Sequence, residues 1–246
     1  MITLTTAHAV HKAWLYRVLI AIVDNNKLHN FYFKGGTAAA MAGFLDRFSV
    51  DLDFDYVGSL EKLPAIRKEL KKIFKNLGLE IKDESKKVPQ FFLKYPTNKQ
   101  NTRNTLKIDI AFPVPIANKY TPIKLKDIER FVICQDIATM FANKLVAVMN
   151  RFDHNGSLAG RDVYDIHHFF LNGYNYNQEV IIERTGLTLL DFFKKLEIFI
   201  HDNVNMKILD QDLNLLLPYQ RFQQLRKTLK LETEMFIRDE ISRIKT

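Results

Sequence analysis

Lys34-Gly35-Gly36-Thr37-Ala38-Ala39-Ala40, followed after one short helical stretch by Ser49-Val50-Asp51-Leu52-Asp53-Phe54-Asp55-Tyr56, sets the layout of the first half of the chain. Phe31 to Phe33 reads as a short strand that Gly35 and Gly36 break. Thr37 is then placed to cap the alanine-rich segment Ala38 to Leu45, whose small residues allow close helix packing. From Ser49 to Tyr56, Asp51, Asp53 and Asp55 alternate with Leu52 and Phe54, the period of a strand with one acidic and one apolar face.

Upstream, Val10, Trp14, Val18, Leu19 and Ile22 recur at helical intervals between Ala7 and Val23. Downstream, a helix begins near Pro64, with Ile66, Leu70, Ile73, Phe74 and Leu77 as its apolar stripe beside Arg67, Lys68, Lys71, Lys72 and Lys75. Leu79 to Lys82, Gln90 to Leu93 and Leu106 to Phe112 read as strands, so the first half is a small mixed sheet flanked by helices. Pro113 and Pro115 mark a break. After Tyr120 the pattern turns helical, with helices expected at Ile137 to Arg151, Arg161 to Leu171, Leu187 to Asn203 and Tyr219 to Ile244. The expected class is α+β, a mixed-sheet core over residues 1–120 followed by a helical domain over 121–246.

Acidic residues along one strand face repel one another, and a bound divalent cation resolves that repulsion. Asp51 and Asp53, two apart, reach one magnesium (or manganese) site from the same face. The alternative is a solvated acidic edge strand. The turn upstream favours the metal: backbone N–H groups at Gly35-Gly36-Thr37 can hold phosphate oxygens, and the glycines let a phosphate approach the main chain. Two metals clamping an in-line displacement at phosphorus need a third carboxylate. Asp109, in Lys107-Ile108-Asp109-Ile110-Ala111-Phe112, is placed for it, as a metal ligand or as the general base for an acceptor hydroxyl.

The bulk properties are compatible with such a protein. With 246 residues, 47% of them hydrophobic, the chain supports one large domain or two small ones with real cores. Cys134 is alone, which excludes an internal disulfide, and the histidines show no zinc-site spacing. The segment from Thr3 to Thr6, followed by His8 and His11, lacks a basic stretch leading into an apolar run, and later apolar stretches are broken by charge. A soluble cytoplasmic protein without a membrane span is expected. The net charge of +8 attracts polyanions such as RNA or nucleotides.

The run Lys34-Gly35-Gly36-Thr37 through Arg47, Ser49 and Asp51-Leu52-Asp53-Phe54 resembles the signature of the AbiEii/AbiGii toxin family of nucleotidyltransferases, in the DNA polymerase β-like superfamily. A second signature follows in the family's order, Lys144-Leu145 leading to Arg151 and then Arg161-Asp162-Val163-Tyr164-Asp165. The resemblance covers about residues 30 to 170. It implies a polymerase β-like core, a nucleoside triphosphate as substrate, catalytic importance for Lys144 and Asp162 beside the paired aspartates, and nucleotide binding by Lys34, Gly35, Gly36, Thr37, Arg47 and Ser49. The stretch from Phe152 to Gly160 is longer than the link the family leads one to expect.

The second signature also reads physically. Lys144 and Arg151 lie on one face of a helix, where both could meet triphosphate oxygens. Arg161 and Asp165, four apart, could pair along the next helix; an ion-pair network holding the helical domain together is the alternative. The resemblance further implies the toxin of a toxin–antitoxin or phage-defence pair, with a cognate antitoxin and an RNA acceptor such as a transfer RNA end. A small-molecule or protein hydroxyl as acceptor, or a noncatalytic binding module on the same fold, are the other readings.

Overall fold

The alternating acidic segment folds as strand β2 (Asp51–Tyr56) and lies near the middle of a seven-stranded sheet. These coordinates are a computed structural model, which describes residues 6–97, 104–156, 158–214 and 216–245. Residues 3–5, in the segment from Thr3 to Thr6, and position 157, in the Phe152–Gly160 stretch, lie outside the described residues. The chain divides into two compact units: one of residues up to 114 together with 120–135, the other of residues 115–119 and 136–246.

In the first unit, α1 (Thr6–Val23) leads to β1 (Phe31–Lys34), α2 (Gly35–Met41), β2, α3 (Leu63–Asn76), β3 (Glu80–Glu84), β4 (Gln90–Lys94), β5 (Thr105–Ala111), β6 (Tyr120–Leu125) and β7 (Arg130–Gln135). The strand order is β3-β4-β5-β2-β1-β7-β6. β2 runs antiparallel to β1 and parallel to β5, and β7 runs parallel to β1. Alternation sorts the two faces. Leu52 and Phe54 on β2, Leu106, Ile108 and Ile110 on β5, and Phe91 and Leu93 on β4 are buried. α1, which packs on β2, β5 and α3, buries Leu15, Val18, Leu19 and Ile22, and α3 buries Ile66, Leu70, Ile73 and Phe74. At about 25 cal/mol per Å² of apolar surface removed from water, this face is the main source of the unit's stability.

One expectation is corrected here. Residues 120–135 do not begin a helical domain: they form the β6–β7 hairpin, paired from Tyr120 with Gln135 to Leu125 with Arg130. The division near residue 120 moves accordingly to Gln135/Asp136, with residues 115–119 crossing over beforehand.

The second unit contains α4 (Ile137–Asn155), α5 (Gly160–Leu171), α6 (Gln178–Thr185), α7 (Leu189–Asn203), α8 (Met206–Leu213), α9 (Tyr219–Leu225) and α10 (Leu229–Lys245). Asp136 caps α4, its side chain accepting from the Thr139 N–H at 2.7 Å. Much of the length of the Phe152–Gly160 stretch is absorbed by α4, which ends at Gly156 in the left-handed conformation. Phe141, Leu145, Val163, Ile166, Phe169, Phe192, Phe193 and Ile237 are buried in this unit. The strip 115–119 is tied into it: the Glu183 carboxylate accepts from the Ile116 and Ala117 N–H groups, each at 2.8 Å, and Asn177 Nδ2 donates to the Ala117 carbonyl at 2.9 Å. The single helix expected from Tyr219 to Ile244 is two, interrupted after Leu225. Among the described residues no helix is long and apolar enough to cross a membrane.

Candidate active site

The half-exposed face of β2 carries Asp51, Asp53 and the buried Asp55. Parallel pairing sets Asp51 beside Lys107 and Asp53 beside Asp109, while Lys34 of β1 lies across from Asp53 on the other side. Lys34, Asp53 and Asp109 therefore form one row over three adjacent strands. Asp109 is not isolated, since Lys107 Nζ stands 2.5 Å from its Oδ2. Asp55 has a different environment from the other two. Lys34 Nζ lies 2.7 Å from its Oδ1, and Gln135 Nε2 and the Tyr120 hydroxyl donate to its Oδ2 at 2.6 and 2.9 Å. A buried carboxylate with a cation and two donors is a structural anchor, and here it fixes Lys34 beside the row.

The Gly35-Gly36-Thr37 turn meets this row directly. Gly35 has φ of +77°, a conformation glycine adopts without strain, and a Cβ there would overlap the Asp53 carboxylate. A Cβ on Gly36 would come within 2.8 Å of the Arg47 guanidinium and 3.0 Å of Ser49 Oγ. The absence of two side chains thus brings backbone, Asp53, Arg47 and Ser49 into one place. Thr37 lies inside α2 and does not cap it; its hydroxyl donates to the Asp51 carbonyl at 2.5 Å, joining the turn to the start of β2. Gly35→Ala is therefore expected to lower transfer activity by about a hundredfold, because displacing Asp53 by a fraction of an ångström disturbs a positioned site. Initial rates on the variant, with its melting temperature measured alongside, check this.

In the helical unit, Lys144 of α4 lies 2.9 Å from both Asp162 Oδ1 and Asp165 Oδ2 of α5, and Arg151 lies 3.2 Å from Asp162 Oδ2. Both carboxylates are fully buried. Burial works to raise the Asp162 carboxyl; the charges of Lys144, Arg151 and Arg161, with the Lys144 hydrogen bond, outweigh it and hold the group at about 2. Asp162 Oδ2 makes no hydrogen bond of good geometry despite the nearby guanidinium. Asp165 meets Lys144 on the neighbouring helix.

Among the described residues, no group of three or more His, Cys, Asp or Glu side chains is assembled to hold a metal. Asp51 and Asp53 share the half-exposed face of β2, two carboxylates being the number a magnesium-type ion takes from a protein when phosphate oxygens complete its shell. Asp109 carries its own counter-ion, Lys107. Sequence reading missed Lys107, although its place two residues before Asp109 puts it on the same strand face. It also missed Tyr120 and Gln135, whose strands were not foreseen.

Residues 17–238 match the family described as nucleotidyl transferase AbiEii toxin, type IV toxin–antitoxin system. Among solved structures, the chain is similar to JHP933 from Helicobacter pylori, with 21% identity, a TM-score of 0.60 and coverage of 99% of this chain and 95% of that one. A second H. pylori structure, described as a candidate nucleotidyltransferase, has 21% identity, a TM-score of 0.61 and coverage of 98% of both chains. The antibiotic-resistance factor ANT(2'')-Ia matches more loosely, at 16% identity and a TM-score of 0.47 over 79% of this chain and 98% of that one. No curated protein matches the sequence.

Proposed function

The chain belongs to the AbiEii nucleotidyltransferase toxin family of type IV toxin–antitoxin systems, and on that premise we propose that it transfers a nucleoside monophosphate from a nucleoside triphosphate to a hydroxyl of RNA in the cytoplasm, a transfer RNA end being the acceptor. The observation that supports this reading is the close approach of the Gly35 backbone to the Asp53 carboxylate, the two elements that would meet a triphosphate and its cation. Triphosphate oxygens lie against the N–H groups of the turn, with Arg47 and Ser49 at its flank and Lys34 held nearby by Asp55. Asp51 and Asp53 would hold a divalent cation, magnesium or manganese, which would offset the charge of the phosphates. Asp109, with Lys107 as counter-ion, receives the acceptor hydroxyl's proton as that oxygen bonds to the α-phosphorus and pyrophosphate leaves. Catalysis on this scheme is positioning plus electrostatics.

The pairing of Lys144 with Asp162 and Asp165 supports a different role from contact with the triphosphate: it locks α4 to α5. Arg151, only partly covered, is the more accessible cation of that motif.

Support for an RNA acceptor comes from net charge +8 and from α3. There, Arg67 and Lys71 are tied to Glu84, while Lys68, Lys72 and Lys75, at helical spacing, are exposed in a line. The C-terminal basic residues contribute less than their sequence suggests, because Arg226 pairs with Asp210, Lys230 donates to the His201 carbonyl, and the two lie on opposite sides of the α9–α10 break.

The test is incubation of the protein with each labelled nucleoside triphosphate and total cellular RNA in magnesium. Label is expected in RNA, and reversing Lys68, Lys72 and Lys75 to Glu raises the RNA KM by about tenfold or more while shallowing its salt dependence. Label appearing on a small hydroxylated compound and on no RNA would overturn the acceptor. As the toxin of a pair, the protein arrests growth when expressed alone, and its cognate antitoxin relieves the arrest.

A further inference from the structure

We infer that His11, on the N-terminal helix and outside both sequence signatures, is a positioning residue that sets the Asp51–Asp53 pair by holding the backbone where β2 begins. Residues 45–50 enter β2 without regular secondary structure, yet Leu45, Arg47, Phe48 and Val50 are buried. Carbonyl groups in such a segment need donors from elsewhere. Two of them find side chains, Arg47 donating to the Phe48 carbonyl at 3.0 Å and His11 Nε2 to the Val50 carbonyl at 2.8 Å, and Thr37 donates to the next carbonyl along, that of Asp51 at the start of β2, at 2.5 Å.

Arg47 and Thr37 belong to the Gly-Gly-Thr and Asp-x-Asp neighbourhood. His11 arrives from 39 residues away and is 2% exposed. Its tautomer follows from its partners. A carbonyl can only accept, so Nε2 carries the proton; in the neutral ring Nδ1 is then the acceptor, and the Tyr95 hydroxyl, 2.9 Å away, donates to it. The imidazole itself meets two rings, Phe48 edge-on with centroids 6.2 Å apart and Tyr95 tilted at 5.7 Å, and these rings are in turn stacked on by His8 and Trp14. An apolar side chain would fill this space with no donor to lose. A buried imidazole with both nitrogens engaged is instead a means of fixing one carbonyl, and that carbonyl immediately precedes Asp51. Because successive strand residues point to opposite faces, a twist of the backbone at 50–51 turns the Asp51 carboxylate away from Asp53.

The inference rests on Asp51 and Asp53 as the cation-holding pair, and the experiment separates the two. His11→Leu, His11→Gln and Tyr95→Phe are compared with the parent protein by Mn2+ binding in the presence of a non-hydrolysable triphosphate, by amide hydrogen exchange at residues 50–54, and by kcat and KM for transfer. His11→Leu is expected to speed exchange at these amides, weaken Mn2+ binding about tenfold and lower kcat by about tenfold to a hundredfold, with the triphosphate KM little changed. The amide of Gln reaches the same carbonyl, so His11→Gln recovers most of both quantities. Tyr95→Phe keeps the ring, frees the imidazole tautomer and gives a smaller effect of the same sign. Unaltered exchange and kcat in a folded His11→Leu or Tyr95→Phe variant would overturn the inference, as would equal losses in His11→Leu and His11→Gln that follow melting temperature. A parent protein that binds no Mn2+ while His11→Leu still loosens residues 50–54 and lowers kcat sinks the metal reading alone and leaves the positioning role standing.

Discussion

Asp53→Asn lowers nucleotide transfer by about a thousandfold or more while the protein keeps its melting temperature, the scale of loss when an electrostatic element of a preorganised site is removed. Asn has the shape of Asp, so the close approach of Gly35 and the register with Lys34 and Asp109 are preserved. What is lost is one charge from a face where Asp51, Asp53 and Asp109 lie within neighbouring positions of two strands. An isosteric change at this half-exposed position removes no packing, so the melting temperature is expected to change little. Asp51→Asn behaves in the same direction. Rates with labelled triphosphate, read beside circular dichroism and thermal melting, decide the matter: an Asp53→Asn protein within tenfold of the parent rate would remove this strand face from the chemistry.

The second large effect is on stability. Lys144→Ala leaves two buried carboxylates without their shared cation, and breaking a buried ion pair on one side costs about 3–5 kcal/mol. Trp14, the single tryptophan, reports on the sheet unit, so unfolding of the helical unit is better followed by far-ultraviolet circular dichroism or amide exchange at α4 and α5. A Lys144→Ala/Asp165→Asn double variant recovers part of the loss, because one of the two buried carboxylate charges is removed together with the cation they share. The pH dependence has a definite sign. Asp162 is held at about 2, below the ordinary carboxylate value, so its contribution is fully present above about pH 4 and is lost as pH falls through about 2. Lys144→Ala moves that loss to higher pH. If instead the variant melts with the parent protein but labels no acceptor, Lys144 serves the substrate directly, as its place in the family signature implies.

The contrast between these two residues shows how far sequence alone reaches. Asp51, Asp53 and Asp109 were placed on one face by strand alternation, a local rule, and the paired strands do set Asp53 beside Asp109. Gly35 and Gly36 read as a turn ahead of a helix from Ala38 to Leu45, whereas α2 begins at Gly35 itself and ends at Met41. Lys144 and Arg151 were correctly assigned to one helix face, but the identity of what they meet, Asp162 and Asp165 on α5, is a long-range fact that spacing does not encode. The β6–β7 hairpin escaped notice because Pro122 sits inside β6, tolerable only on an edge strand, and Glu129 turns the chain in the left-handed region. Arg130-Phe131-Val132-Ile133-Cys134 was a legible strand signal nonetheless. The break after Leu225 carries neither Pro nor Gly, so periodicity ran on through it.

The strip 115–119 makes the backbone pass between the sheet unit and the helical unit three times, at residues 114/115, 119/120 and 135/136. Such a chain is stitched, and no single cut unpicks it. A fragment ending at Gln135 would carry away the strip 115–119, with the Ile116 and Ala117 amides that Glu183 binds and the Ala117 carbonyl that Asn177 holds. A fragment starting at Asp136 would present those two side chains with an empty seat. The halves of this protein are therefore poor modules for exchange by recombination: a graft joined at any one point brings either a sheet with a stray thread or a bundle missing its hem.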